Sequence, residues 1–244
     1  MLILALDTTS EHGGAAVYNG SDCLAAAFNE GPANRYSVTL FELVDRALAE
    51  AKLGFRDIEL FAAAKGPGSF TGIRVGLAAA QAWAKAFGKP LQAVTLLEAM
   101  VRQAQSDTDW AVPILDARRG EFFVGLYRRP EGASAEARFA AASEGQVVRP
   151  EDLPRLLETL TEGGKCRTFS GGRIACLRRS HDLKAQALGE KLGPALTWID
   201  IPGTLLDAIA WVAVQSQEQG EISPPEELDA CYLRRSDAEM NWRA

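Results

Sequence analysis

The sequence predicts an α/β protein built from two similar domains. Two observations carry this. The chain opens on an apolar run, Leu2-Ile3-Leu4-Ala5-Leu6, then Asp7, a polar turn Thr8-Thr9-Ser10, Gly13-Gly14 and a second apolar run ending in Tyr18. The same order returns about half a chain later. Val112-Pro113-Ile114-Leu115 precedes Asp116, then Ala117-Arg118-Arg119, Gly120 and Phe122-Phe123-Val124-Gly125-Leu126-Tyr127. A self-match at that separation suggests a duplicated domain. The expected division is 1–105 and 106–244, with the last helix free to pack back on the first domain.

The elements follow from local pattern. Leu2 to Leu6 suits a central strand. Gly13 to Tyr18 is a second strand, and Asn19-Gly20 is a hairpin signal because both residues tolerate positive φ. Leu24 to Phe28 completes an antiparallel meander. Ser37 to Leu53 is a helix with Leu40, Val44, Ala47, Leu48 and Ala51 on one stripe. Glu59 to Ala64 is a strand, and Gly66 to Gly72 a loop. Ile73 to Phe87 is a helix stopped by Gly88 and Pro90. Leu91 to Val94 is a strand and Leu96 to Gln105 a helix. In the second half, Pro130 to Ala142 reads as an irregular connection and Pro150 to Leu160 as a helix. Arg167 to Ser170 is a short strand before Gly171-Gly172. Thr204 to Gln217 is the last long helix, and Ser223-Pro224-Pro225 begins a tail.

Composition narrows the function. The 244 residues carry 32 acidic and 26 basic side chains, a net charge of −6, which argues against a large autonomous nucleic-acid surface. The apolar run Ala208 to Val214 is far short of the ~20 residues of a membrane span. Four scattered cysteines, with no Cys-x-x-Cys pair and no signal-like leader, point to a cytoplasmic protein. With only His12 and His181, a three-histidine metal site is impossible. No Gly-x-Ser-x-Gly elbow supports a serine hydrolase.

Three constellations remain. In actin-like and sugar-kinase-like folds, a strand–Asp–turn–strand hairpin in each domain offers backbone N–H groups to nucleotide phosphates. Asp7, Thr8, Thr9 and Asp116, with Gly171 and Gly172 as the adenosine-side turn, could form such a cleft. The spacing alone leaves open whether they do so or merely cap turns. Second, Gly66-Pro67-Gly68-Ser69-Phe70-Thr71-Gly72 aims N–H groups at the start of a helix but matches neither a Walker loop nor a dinucleotide fingerprint. Arg74 just after it could hold an anion or a partner's carboxylate. Third, the helix that follows has Gly76, Ala78, Ala79, Ala80, Ala82, Ala84 and Ala86, interrupted by Trp83, so another helix could approach closely.

Ala64 to Gly76, containing the Gly66, Gly68, Ser69, Thr71, Gly72 loop, resembles the signature of the bacterial TsaB (YeaZ) family. Ile3 to Thr9, Leu97-Glu98-Ala99, Leu115 to Glu121 and Tyr232-Leu233-Arg234 extend the resemblance over nearly the whole chain. It implies a two-domain actin/sugar-kinase-like (ASKHA) fold of duplicated ribonuclease-H-like domains. It also implies a non-catalytic scaffold that activates the paralogue TsaD, with the ATPase TsaE, in making threonylcarbamoyladenosine beside the anticodon of tRNAs reading codons that begin with A. TsaD proteins carry two metal-binding histidines whose places fall here on Leu96 and Met100, neither suited to that metal. No metal and no cofactor are therefore expected. On this reading the Ser37–Leu53 and Ile73–Phe87 helices meet a matching pair on TsaD through Leu40, Val44, Ala47, Ile73, Arg74, Gly76, Ala80 and Trp83. The same surface allows a homodimer of the chain alone, and tRNA is met only through the complex. The alternative is an active nucleotide-dependent kinase or ATPase of the same fold using Asp7 and Asp116.

Overall fold

The computed structural model describes residues 1–32, 35–104, 106–130, 138–162, 174–192, 196–221 and 224–234. The chain divides into two compact units, one of residues 1–99 and 204–244, the other of residues 100–203.

The first unit opens with β1 (Leu2–Asp7), β2 (Gly14–Asn19) and β3 (Asp22–Phe28), then α1 (Tyr36–Ala51), β4 (Leu60–Ala64), α2 (Phe70–Phe87) and β5 (Leu91–Val94). Its sheet runs β3-β2-β1-β4-β5. β1, β2 and β3 pair antiparallel, and β4 and β5 follow parallel to β1. Gly20, at φ 61°, turns the β2–β3 hairpin. Alternation along β1 sends Leu4 and Leu6 to a core shared with Leu40, Leu43, Val44 and Ala47 of α1 and Leu77, Ala80 and Ala84 of α2.

Helix α3 (Leu96–Ala104) spans the boundary between the units. The second unit then repeats the plan with β6 (Trp110–Asp116), β7 (Phe122–Arg128), β8 (Ala140–Val148), α4 (Leu153–Glu162), β9 (Ile174–Arg179), α5 (Leu183–Leu192) and β10 (Thr197–Ile201). Its sheet order, β8-β7-β6-β9-β10, has the same pairing senses as the first. Leu153 and Leu157 of α4 and Ala185 and Leu188 of α5 cover it as α1 and α2 cover the first. This is the duplicated ribonuclease-H-like plan of an ASKHA fold, with Asp7 and Asp116 each the last residue of the first strand of its sheet.

The last helix, α6 (Leu206–Glu218), packs on β1, β2, β4 and β5 of the first unit and buries Leu206, Ala208, Ile209, Ala210, Val212 and Ala213. A short 3-10 turn, Pro225–Glu227, follows.

The structure departs from the sequence reading at several elements. Helix α2 begins at Phe70, not Ile73, because Ser69 caps it by accepting from the Gly72 N–H at 3.3 Å. Residues 140–148, read in part as irregular connection, are β8. The elements β9, α5 and β10 carried no expectation. The expected strand Arg167–Ser170 and the Gly171-Gly172 turn lie outside the described residues.

Candidate functional site

The Gly66–Gly72 loop delivers α2 across the end of β1. The Ser69 N–H donates to the Thr9 carbonyl at 2.7 Å, and the Ile73 N–H to the Ser69 carbonyl at 2.9 Å. The glycines permit the crossing. A Cβ on Gly72 would overlap the Thr8 carbonyl oxygen, one on Gly76 the Thr8 hydroxyl, and one on Gly68 the Thr9 backbone. The loop is therefore a close-approach joint between α2 and the β1–β2 turn.

Asp7, Thr8 and Thr9 are all buried. One carboxylate oxygen of Asp7 accepts from both the N–H (2.9 Å) and the hydroxyl (2.5 Å) of Thr9. The equivalent Asp116 is treated differently. It receives the Arg118 N–H at 2.7 Å and the Lys184 ammonium at 2.8 Å, while its own N–H donates to Asp182 at 3.0 Å. Arg118 and Arg119 take the left-handed conformation, at φ 63° and 54°, and project exposed side chains. In each unit the aspartate thus ties its own turn.

The helix pair divides into two faces. Leu40, Val44, Ala47, Ile73, Gly76 and Ala80 are buried in the first unit's own interior and offer no surface to a partner. This corrects the expectation that Gly76 and Ala80 centre an outward seam. Gly72 and Gly76 are small because α2 crosses the Thr8 turn after β1 closely there, and Ala80 and Ala84 lie buried in the core beneath the helix. The outward face is one step round: Arg74, Ala78 and Ala82 on α2, and Val38 and Phe41 on α1, the last two 66% and 56% exposed. Phe41 meets the half-buried Trp83 edge-on, ring centroids 5.7 Å apart.

Leu96 and Met100 are buried, one turn apart on α3. No group of three or more His, Cys, Asp or Glu able to hold a metal occurs among the described residues, and no described helix is long and apolar enough to cross a membrane.

Two contacts escaped the sequence reading because they join distant segments. The buried Tyr18 hydroxyl donates to Asp207 of α6 at 2.7 Å. Burial first, then the Asp207 carboxylate, raises the Tyr18 pKa. Arg74 donates through Nε to the Tyr232 hydroxyl at 2.8 Å, across 158 positions. Only the Tyr232-Leu233-Arg234 motif hinted at the second.

Comparison with known proteins gives this geometry its relatives. The family model of TsaD, tRNA N6-adenosine threonylcarbamoyltransferase, matches residues 30–198. The tRNA threonylcarbamoyladenosine biosynthesis protein TsaB of Haemophilus influenzae is 32% identical over 65% of this chain and 68% of its own. Its Escherichia coli K12 counterpart is 29% identical over 98% of this chain and 96% of its own. The Bacillus subtilis TsaB is 33% identical, but the match spans only 57% of that protein and 54% of this one. The solved structure of YeaZ from Pseudomonas aeruginosa superimposes with a TM-score of 0.67 at 20% identity, over 95% of this chain and 99% of that one, which is a likeness of fold. The duplicated sheet is thus shared with YeaZ and the sequence with TsaB proteins along most of the chain: it belongs to the family that the TsaD model describes, in its TsaB (YeaZ) branch.

Proposed function

We propose that this chain is a non-catalytic scaffold in tRNA threonylcarbamoyladenosine biosynthesis, binding TsaD through the outward face of α1 and α2 and activating it. The observation that carries the reading is that face. Val38 and Phe41 stand exposed on α1, and Ala78 and Ala82 leave α2 low enough for a partner helix to approach to ~8 Å. A paralogue of the same fold has a matching helix pair to offer, and the relatives' shared name supports the process. The same face would pair two copies of the chain when TsaD is absent. Leu96 and Met100, where the catalytic paralogue has histidines, favour an accessory role. So does Asp7, which is buried with an oxygen committed to Thr9 and poorly placed to serve a nucleotide-bound metal. That weighs against the kinase or ATPase alternative. The ATPase TsaE would act with the pair, and tRNA would be met through the assembled complex, in keeping with the net charge of −6. The expected compartment is the cytoplasm.

The test is threonylcarbamoyl transfer to tRNA by TsaD and TsaE, with and without this protein. Transfer is expected to need the wild-type chain. Ala82→Arg, at an exposed position, should weaken TsaD binding at least tenfold and suppress transfer while the melting temperature stays unchanged. Full activity without the chain, or wild-type affinity in the folded variant, sinks the reading.

A further inference from the structure

Residues 225–232 run along the flank of α2 as a strap. Gln81 of α2 donates its amide to the carbonyls of Pro225 (2.7 Å) and Leu228 (2.8 Å). The Cys231 N–H donates to the Lys65 carbonyl at 2.7 Å, just before the glycine loop. Leu228 and Ala230 pack against the first unit's core. The strap then sets Tyr232 against Phe70, the first residue of α2, with ring centroids 4.9 Å apart. The Arg74 guanidinium lies 3.8 Å over the Phe70 ring and 5.5 Å from that of Tyr232, and its Nε donates to the Tyr232 hydroxyl.

This arrangement fixes an arginine that nevertheless remains exposed. One edge of its fork is used and one face is stacked. Among the described residues no carboxylate pairs with it. Arg74 sits one turn before Ala78, at the border of the outward face. A long side chain ordinarily loses rotamer freedom on binding; one already held by two rings loses less.

We propose that Arg74 is the electrostatic anchor of the docking face and takes an aspartate or glutamate carboxylate of the partner subunit. Tyr232 and Phe70 are its positioning residues, and the 225–232 strap sets its geometry. The proposal rests on the scaffold reading above and adds to it the chemistry of the contact. A protein carboxylate fits better than an RNA backbone. The next exposed positions along this face of α2 are Ala78 and Ala82, neither of them charged, whereas a phosphodiester track is held by several cations together. A single planar fork matches a single carboxylate.

The test measures affinity of the full chain for TsaD by calorimetry. Arg74→Ala is expected to weaken binding at least tenfold without lowering the melting temperature, and Arg74→Lys, which keeps the charge but loses the fork, should restore little. Tyr232→Phe should weaken binding severalfold. Because Tyr232 acts through Arg74, the Arg74→Ala/Tyr232→Phe double variant should bind no worse than Arg74→Ala alone. The loss caused by Arg74→Ala should shrink at high salt. Arg74→Ala binding within twofold of wild type overturns the proposal, as does an additive double variant. An Arg74→Ala chain that keeps its TsaD affinity but weakens tRNA binding by the complex also overturns it, in favour of a phosphate ligand. If the wild-type chain does not bind TsaD at all, the scaffold reading falls first; if it binds and Arg74 is indifferent, only this proposal falls.

Discussion

Thr8 is the residue on which the first unit's geometry turns. Its carbonyl lies against Gly72 and its hydroxyl against Gly76, and that hydroxyl is buried with no hydrogen-bond partner among the described residues. Gly76→Ala should therefore destabilise the fold by about 1–3 kcal/mol, the usual cost of overpacking. Adding Thr8→Ala should recover part of this, since it removes the hydroxyl and methyl that the new Cβ would strike. Gly72→Ala strikes backbone, so the same Thr8→Ala should not rescue it. Urea unfolding of the four variants checks both statements, and an unrescued Gly76→Ala would refute the first. The glycines were legible in the sequence, but their purpose was not. Three glycines in such a loop resemble a phosphate loop locally; that Gly68 and Gly72 admit Thr9 and Thr8 is a fact about residues some sixty positions away. Ala80 misled for the same reason. A small residue on a helix announces a close neighbour without saying whether that neighbour is internal.

Among the elements, α6 is tied to the sheet it covers by the hydrogen bond from Tyr18 to Asp207. Protonated Tyr18 donates to Asp207, and burial together with that carboxylate holds the Tyr18 pKa above its ordinary value of 10.0. A group whose folded pKa is raised contributes fully below its unfolded value and loses that contribution as pH climbs through the folded one. Stability should therefore fall above about pH 10, and Tyr18→Phe, less stable than wild type at pH 7, should fall less steeply there. Thermal melts at pH 7, 10 and 11 measure this; parallel slopes for the two chains would reject it. The strongly periodic elements were readable: α1, α2, α6 and the two opening hairpins all stand within a few residues of their expected places. The missed ones are weak in pattern for physical reasons. β8 reads Ala-Ala-Ala-Ser-Glu-Gly-Gln-Val-Val, with no clean alternation and a glycine inside. β10 is a five-residue edge strand whose Asp200 pairs with Arg178 at 2.6 Å, so its apolar signal is diluted by charge.

For the whole molecule, the repeated Asp7 and Asp116 hairpins made the duplication visible from sequence. The membership of α6 could be raised but not decided, because its apolar stripe says only that it must cover a sheet. Cutting the chain after Gly203 should strip one face of β1 and β4 while leaving the second unit's sheet covered. Hydrogen exchange is the measurement: amide protection should collapse in β1, β4 and β5 and persist in β6 and β7. Protection retained in β1 would show that the first unit stands without α6. The interleaved order has a further consequence during synthesis. The first sheet leaves the ribosome early but cannot be sealed until residue 218 has emerged, whereas the second unit is contiguous and can close before it. At about 5–20 residues per second, β5 waits on the order of 6–25 s and β1 on the order of 10–40 s with an apolar face uncovered. The part of the chain made first is thus the last to finish folding, and its nascent form is the one most in need of a chaperone.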